Sequence, residues 1–401
     1  MTGPQRTGPQ RTGAGTPVSP APVLEVKNLT VALRTSRGIR RAVDGISFTI
    51  GQGEILGIAG ESGSGKTLTA LSLLGLLPMG ARTGGSVRFE GRELLGLKRK
   101  ELREVRGKQV ALVSQDPASA LHPLLRIDVQ MTEHVRAHLG FSKAQAQARA
   151  IEMLTAVRIP DPEGALYAHP HQFSGGMRQR IAIAMALACE PRLLIADEPT
   201  TALDVTVQAG ILALLDRLRR ERGFSVMIIT HDLGVISSVA DRICVLYGGR
   251  VAEYGVTDAV LGAPRHPYTE GLMRSLPGAS AAGAAMVPIQ GAPPTLDAMP
   301  SGCTFHPRCE WAQESCRTTI PTLRTLDDGR QLACDVDPLA GGSAGGPRLV
   351  EISTETSVRA PSVAGSSVAG SSVAGSSVAG SSVAGSSVPA PSAGPSPVGQ
   401  P

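Results

Sequence analysis

Aromatic side chains are scarce in this 401-residue chain, which has one Trp, four Tyr and six Phe. So few rings disfavour a protein that grips nucleic acid by stacking bases on aromatic platforms. No apolar run reaches 18 residues, so a membrane-spanning helix is not expected. The longest candidate, residues 181–189, is about half that length. A charged segment followed by an apolar core is absent from the start, so no secretory signal is read there, and a cytoplasmic protein is the default expectation. Heptad runs are missing as well. The charge balance is mild, with 39 Lys plus Arg against 34 Asp plus Glu and a formal net charge of +5.

Glycine (47) and proline (30) are plentiful, and many of them sit at the two ends. Residues 1–22 repeat T-G-P-Q-R, and residues 340–401 contain five consecutive V-A-G-S-S units. Such stretches carry too little apolar surface to bury, so both ends are expected to be disordered. Between them Leu, Ile, Val and Ala are dense enough for a folded core. From Val23 the segment L-E-V-K-N-L-T-V-A-L alternates as a strand does, and so do residues 42–50. Ile55–Ala59 is a short continuous apolar run, as in a strand buried on both faces. Residues 68–77, 142–159 and 207–222 have helical spacing. Leu193–Asp197 and residues 226–230 read as further buried strands. Residues 244–255 read as a hairpin turning at Gly248-Gly249. Strand, glycine loop, helix is the opening of an α/β nucleotide-binding unit.

Three motifs carry the chemistry. G-E-S-G-S-G-K-T, residues 60–67, fits the phosphate-loop pattern after a buried strand. Backbone N–H groups of Gly60, Glu61, Ser62, Gly63, Ser64 and Gly65 can wrap phosphate oxygens, aided by the dipole of the helix that follows. Lys66 would reach the β- and γ-phosphates, Thr67 would ligate Mg²⁺, and Thr69 belongs to the same nucleotide-binding segment. L-L-I-A-D-E places Asp197 and Glu198 at the carboxyl end of a strand, where α/β sheets bind ligands. Asp197 is expected to hold Mg²⁺ and Glu198 to polarise an attacking water. F-S-G-G-M-R-Q-R puts Ser174, Gly175 and Gly176 at a helix start, a second anion site that local features alone would explain as an N-cap.

Phosphate loop, Gln115, S-G-G-M-R-Q-R, L-L-I-A-D-E-P, T-A-L-D and His231, in this order, resemble the nucleotide-binding subunit of an ATP-binding-cassette transporter. I-A-D-E-P-T-T-A-L-D-V-T-V-Q-A and R-H-P-Y-T-E-G-L-M-R-S-L-P are similar to the ATPase subunits of bacterial dipeptide and oligopeptide importers. The resemblance implies an α/β P-loop NTPase with a RecA-like core, a helical subdomain at about 116–186, and a small Cys-rich C-terminal extension. The corresponding division is a tail at 1–22, a nucleotide-binding domain at 23–264, an extension at 265–339 and a tail at 340–401. It further implies that Gln115 links the Mg²⁺ site to the helical subdomain. Ser174, Gly175 and Gly176 would bind the γ-phosphate of ATP held by the opposite subunit. Asp204 would contact that subunit, and His231 would touch the γ-phosphate. The expected partners are a second ATP-binding subunit that is a different chain, two membrane permease subunits and an extracytoplasmic substrate-binding protein, with no nucleic acid. The chain would sit peripherally on the cytoplasmic face of the membrane and energise import of di- and oligopeptides. Nickel or another small solute is the alternative cargo, and a soluble non-transport cassette ATPase is the alternative class.

One departure from the family is the stretch R-T-S-R-G-I-R-R-A-V, which has no aromatic for adenine. Arg40 or Arg41 could stack on the base through a cation–π contact, or Val43 could pack on it.

Of six cysteines, Cys189 and Cys244 lie in apolar runs and read as core residues. Cys303, Cys309, Cys316 and Cys334 cluster in the extension. In a reducing compartment four such thiols suggest metal rather than disulfides. Their intervals lack the tight knuckle usual for structural zinc, while iron–sulfur clusters accept varied spacings. G-C-T-F-H-P-R-C-E-W-A-Q-E-S-C resembles the cysteine motif of the same importers, where it implies a 4Fe-4S cluster. Zinc and free thiols remain the other readings, and His306 is a possible alternative ligand.

Overall fold

The alternating segment after Val23 forms β1 (Leu24–Thr35), with Leu24, Val26, Leu29 and Val31 turned into the core. It pairs antiparallel with β2 (Gly38–Ile50). The chain then leaves this layer along β3 (Ile55–Ala59) and returns to it with β4 (Arg82–Phe89) and β5 (Arg92–Glu93). The result is a four-stranded antiparallel sheet in the order β2-β1-β4-β5. In the computed structural model, residues 21–116, 120–201, 203–276 and 287–340 are described. Most of both terminal tails, Ala202 of T-A-L-D and Pro277 of the extension motif lie outside the described residues.

A second sheet carries the chemistry. It adds β6 (Val110–Val113), β7 (Leu193–Asp197), β8 (Ser225–Ile229), β9 (Arg242–Tyr247), β10 (Arg250–Val256), β11 (Arg324–Thr325) and β12 (Gln331–Leu332). Its order is β11-β12-β10-β9-β3-β8-β7-β6. The run from β9 to β6 is parallel. Every residue of β3, β7 and β8 is buried. That is why these strands read as continuous apolar runs and not as alternating ones. Each large apolar side chain so buried contributes about 1.5–3 kcal/mol. The hairpin at Gly248-Gly249 forms as expected, joining β9 to β10.

Helix α1 (Lys66–Leu73) follows the glycine loop and stops short of the expected Leu77. Gly75 turns to φ 59°, and Arg106 donates to the carbonyls of Leu74 (2.6 Å) and Gly75 (2.8 Å), closing the helix end. After α2 (Arg99–Val105), a helical lobe is built from α3 (Ile127–Leu139), α4 (Lys143–Ala156), α5 (Pro162–Tyr167) and α6 (Gly175–Leu187). Ser142 and Gln145 form a reciprocal capping box that starts α4 where its apolar period begins. Met131, Ala146, Ala150, Leu154 and Ile181 fill the core of this lobe. Helices α7 (Val205–Arg222) and α8 (Leu233–Val239) return to the sheet.

Beyond the hairpin come α9 (Thr257–Gly262), α10 (Pro267–Arg274) and α11 (Glu314–Thr318). This part is stitched to the main sheet, since β12 pairs with β10 at Glu253–Leu332 and Tyr254–Gln331. Glu253 is fully buried; it accepts N–H bonds from Arg265 (3.1 Å) and His266 (3.0 Å) and faces Arg330 at 3.3 Å. A buried carboxylate is tolerable only with such partners. Three of the scarce rings, Tyr247, Tyr268 and Phe305, meet with centroids 4.5–5.4 Å apart and join the segment to the sheet. Among the described residues, no helix is long and apolar enough to cross a membrane.

Candidate active site

Four neighbouring parallel strands, β3, β8, β7 and β6, end on the same side of the sheet. The phosphate loop follows β3, His231 follows β8, Asp197 and Glu198 end β7, and Gln115 lies just past β6. Parallel strands thus bring together residues up to 171 positions apart, Gly60 and His231, at the edge where such sheets bind ligands.

Gly60 begins the loop at φ 145°, and a Cβ there would stand 2.2 Å from the Leu246 carbonyl oxygen, so only glycine fits. Lys66 Nζ donates to the carbonyls of Gly60 (2.7 Å) and Glu61 (2.9 Å). Burial lowers the Lys66 pKa, against the pull of Glu198, Asp197 and Glu61. Among the described residues, Ser64 Oγ is buried without a hydrogen-bond partner. Thr67 Oγ1 donates to Asp197 Oδ1 at 3.4 Å. Burial raises the Asp197 pKa, with Glu198 adding to the rise and the Thr67 bond and Lys66 opposing it. Thr69 lies buried with its hydroxyl on the Gly65 carbonyl, 2.9 Å away, so it secures the helix start from inside.

Glu198 is held on three sides. Gln115 Nε2 donates to Oε2 at 3.0 Å, Thr201 Oγ1 donates to the same oxygen at 2.8 Å, and His231 Nδ1 stands 3.2 Å from Oε1. Its backbone sits in the left-handed region at φ 47°, strained for a residue with a side chain. Burial opposes its ionisation, but the bonds from Thr201 and His231 and the charge of Lys66 outweigh it and keep its pKa below the ordinary value. A fixed, ionised carboxylate beside a phosphate loop can hold a water molecule for attack. Thr201 stands inside the quoted T-T-A-L-D motif, yet no spacing in the sequence marked it as a partner of Glu198.

The second glycine motif is elsewhere. Ser174 is exposed and caps α6, its Oγ accepting from Met177 N–H at 3.3 Å. A Cβ on Gly176 would meet Val207 at 2.6 Å, so Gly176 lets α6 pack on the start of α7. Asp204 caps that helix, accepting from Val207 N–H at 2.9 Å. No hydrogen bond among the described residues joins Ser174, Gly175, Gly176 or Asp204 to Lys66 or Glu198. Of the adenine candidates, Val43 is fully buried and offers no face to a base, whereas Arg40 and Arg41 are exposed.

Next to the Gln115 strand end lies a groove of about 590 Å³, walled by Ala111, Val113, Gln130, His134, Ala182 and Met185. Leu124 (80% exposed) and Val129 (41% exposed) stand on the same stretch of chain.

Cys303, Cys309, Cys316 and Cys334 line one small cavity with Phe305, Trp311 and Val336. Burial raises the thiol pKa values of Cys303 and Cys334 and pushes Cys309 up to about 11. Cys334 Sγ accepts the Asp337 N–H at 3.3 Å. His306 Nδ1 lies 2.9 Å from the Cys303 carbonyl oxygen. Among the described residues no three His, Cys, Asp or Glu side chains are gathered as a metal site. Cys189 and Cys244 are buried core residues whose thiols burial pushes up to about 11 and about 12.

The chain is similar to known proteins. Residues 43–201 match the ABC transporter family, and residues 252–316 match the C-terminal region of oligopeptide/dipeptide transporters. The oligopeptide transport ATP-binding protein OppD of Salmonella typhimurium is 48% identical over 312 residues, 78% of this chain and 93% of that one. The dipeptide transport ATP-binding protein DppD of Bacillus subtilis is 46% identical over 314 residues, 78% of this chain and 94% of that one. Among solved structures, the dimeric post-hydrolysis state of the ATP-binding cassette MJ0796 bound to ADP and Pi has a TM-score of 0.53 at 30% identity. It covers 58% of this chain and 98% of that one.

Proposed function

The chain belongs to the ATP-binding subunits of ABC transporters, in their oligopeptide and dipeptide branch, and on that premise we propose that it drives the import of short peptides. It is an ATPase coupled to transport. The observation that carries the mechanism is the triple hold on Glu198 by Gln115, Thr201 and His231.

In this reading the loop from Gly60 to Gly65 wraps the ATP phosphates with its N–H groups, except that of Glu61, which is given to Tyr268 Oη, and Lys66 exchanges its two carbonyls for phosphate oxygens. Thr67, Asp197 and Gln115 would hold Mg²⁺. Their oxygen donors suit a hard cation, whose chemistry is to neutralise charge on the β- and γ-phosphate oxygens. Glu198 orients the attacking water in line with the γ-phosphate. Lys66 and His231 stabilise charge on the transferring group. Ser174, Gly175 and Gly176 of a facing subunit close over that phosphate, and Asp204 contacts the facing chain. A second ATP-binding subunit is therefore required, and we assign it to a different chain. Two permease subunits form the pore, with an extracytoplasmic protein delivering the cargo. The groove beside Gln115, with Leu124 and Val129 at its edge, is where the permease docks, so that ATP-driven movement of the Gln115 segment is passed on. The chain then sits peripherally on the cytoplasmic face of the membrane. The working division remains a nucleotide-binding domain at 23–264, with its helical subdomain at about 116–186, and an extension at 265–339.

The four extension cysteines are assigned to a 4Fe-4S cluster. Support comes from the donor set: four thiols on one apolar-walled cavity, one of them accepting a backbone N–H as cluster sulfurs do. When bound, the cluster would supply a thiolate cross-link between short segments that lack a large core of their own. Iron and sulfide analysis with visible spectra after anaerobic purification tests this. Colourless, iron-free protein overturns it, and stoichiometric zinc replaces it.

Cargo is tested by uptake. Cells lacking this subunit should lose uptake of labelled peptides and regain it with the intact chain but not with Lys66→Ala. Loss of nickel uptake with peptide uptake intact would move the assignment to the other cargo.

A further inference from the structure

An anion-binding loop that contains an acid poses an electrostatic problem. The Glu61 carboxylate belongs to the segment that wraps phosphate, and a bare negative charge there repels the ligand. The structure supplies the answer from far along the chain. Arg308, beside Cys309, reaches Glu61 with two nitrogens: Nη1 to Oε2 at 2.6 Å and Nη2 to Oε1 at 3.1 Å. Its side chain is 5% exposed, and that of Glu61 is 25% exposed. The fork is itself held, with Nε donating to the Gln290 carbonyl (2.9 Å) and Nη1 to Tyr247 Oη (3.2 Å). A second tie runs to the same residue, since Glu61 N–H donates to Tyr268 Oη at 2.8 Å. Glu61 is thus fastened at its N–H and its carboxylate by residues outside the phosphate loop. Its carbonyl accepts from Lys66, the group that nucleotide draws away, and from the Ser64 N–H at 3.2 Å within the loop.

We infer that Arg308 is a positioning residue for ATP binding: acting through Glu61, it cancels the loop's acidic charge and keeps the loop shaped once Lys66 turns to the phosphates. The C-terminal extension thereby sets nucleotide affinity without touching nucleotide. A partly buried pair of this kind is a poor choice if it served only to hold the extension in place, because apolar contacts do that equally well. The aromatic cluster of Tyr247, Tyr268 and Phe305 already does so. Stripping one partner from a bidentate charged pair leaves the other uncompensated.

This inference rests on reading residues 60–67 as the phosphate site, and the test separates the two. Affinity of the full chain for a fluorescent ATP analogue is measured at equilibrium, with thermal midpoints recorded for every variant. Lys66→Ala should abolish binding; if it does not, the loop reading itself fails. Arg308→Ala should weaken binding about tenfold, the size expected for loss of a charge-assisted pair. Arg308→Lys should recover part of that loss. Glu61→Gln alone should cost less affinity than Arg308→Ala, and adding it to Arg308→Ala should restore most of the affinity, because the uncompensated charge is gone. Affinity unchanged in Arg308→Ala overturns the inference. So does a double variant no better than Arg308→Ala, which would trace the loss to a disturbed extension. Should Arg308→Ala not fold, Arg308→Gln with and without Glu61→Gln gives the same comparison.

Discussion

The molecule contains two glycine-rich segments that we propose as anion sites, and they are built in opposite ways. The loop at 60–67 is anchored in the body of the protein, although Ser62, Gly63 and Thr67 face outward. Gly60, Ser64, Gly65 and Lys66 are buried, and Glu61 is tied by Arg308, Tyr268 and Lys66. Ser174 opens the other site on an exposed helix end, with its hydroxyl spent on a local cap. A site whose donors are fastened from several directions is shaped before its ligand arrives. One presented on a bare helix start can only complete a site formed elsewhere. On the proposed reading, the contrast explains how a chain can carry the residues for hydrolysis and still need a second chain to perform it.

Four experiments, at Glu198, Ser174, Asp204 and His134, break or sharpen that contrast. The largest effect is expected from Glu198→Gln, which should retain nucleotide binding and lower hydrolysis by about 10²–10⁴-fold, the usual worth of a positioned acid–base group. Turnover at the parent rate would remove Glu198 from its role. Ser174→Ala comes next: affinity of the chain's own loop should hold, while hydrolysis by the assembled transporter falls about tenfold, as for one lost hydrogen bond to a charged group. Weakened binding in the isolated chain would mean that the two sites are not independent. Asp204→Ala should cost ~1 kcal/mol of stability through the lost α7 cap. Asp204→Asn, which caps as well, separates roles: restored stability with hydrolysis still low in the assembled transporter marks a contact across subunits.

The smallest effect is a pH dependence in the lobe that carries Ser174. His134 lies between the Gln130 and Met185 carbonyls at 3.2 Å and 3.0 Å, and burial lowers its pKa from 6.5. A base with a depressed folded pKa contributes stability above its unfolded value and loses it as pH falls. Below a pH of about 6.5 the thermal midpoint should drop, and His134→Gln should flatten that drop. Hydrogen exchange should show the loosening in α3 and α6 and spare α1.

Strands buried on both faces were the most legible parts of the sequence. Leu193–Asp197 forms as read, and 226–230 is displaced by one residue, because a continuous apolar run of that length has few other uses. Helix α1 ended early for a reason that local spacing cannot hold: the carbonyls that stop it are taken by Arg106, more than 30 residues away. The phosphate loop, the Asp197-Glu198 pair and His231 were each visible as motifs, since their spacing is dictated by the ligand they suit. Thr201, Tyr268 and Arg308 were not. Their contribution comes from where the fold carries them, and the Arg308–Glu61 separation of 247 residues leaves no periodic trace. Arg308 lies inside the cysteine motif, whose spacing points to the thiols and carries no sign of the loop acid.

The pairing of β12 with β10 has a consequence for handling the protein. Among the described residues, the outer side of β10 finds its hydrogen-bonding neighbour only in a two-residue strand contributed from the C-terminal part of the chain. Cut at residue 264, the chain would present a bare apolar strand edge to solvent, a template for pairing with other copies. The extension therefore doubles as a guard against aggregation, and truncated forms should come out of cells as inclusion bodies more readily than they come out as a smaller working ATPase.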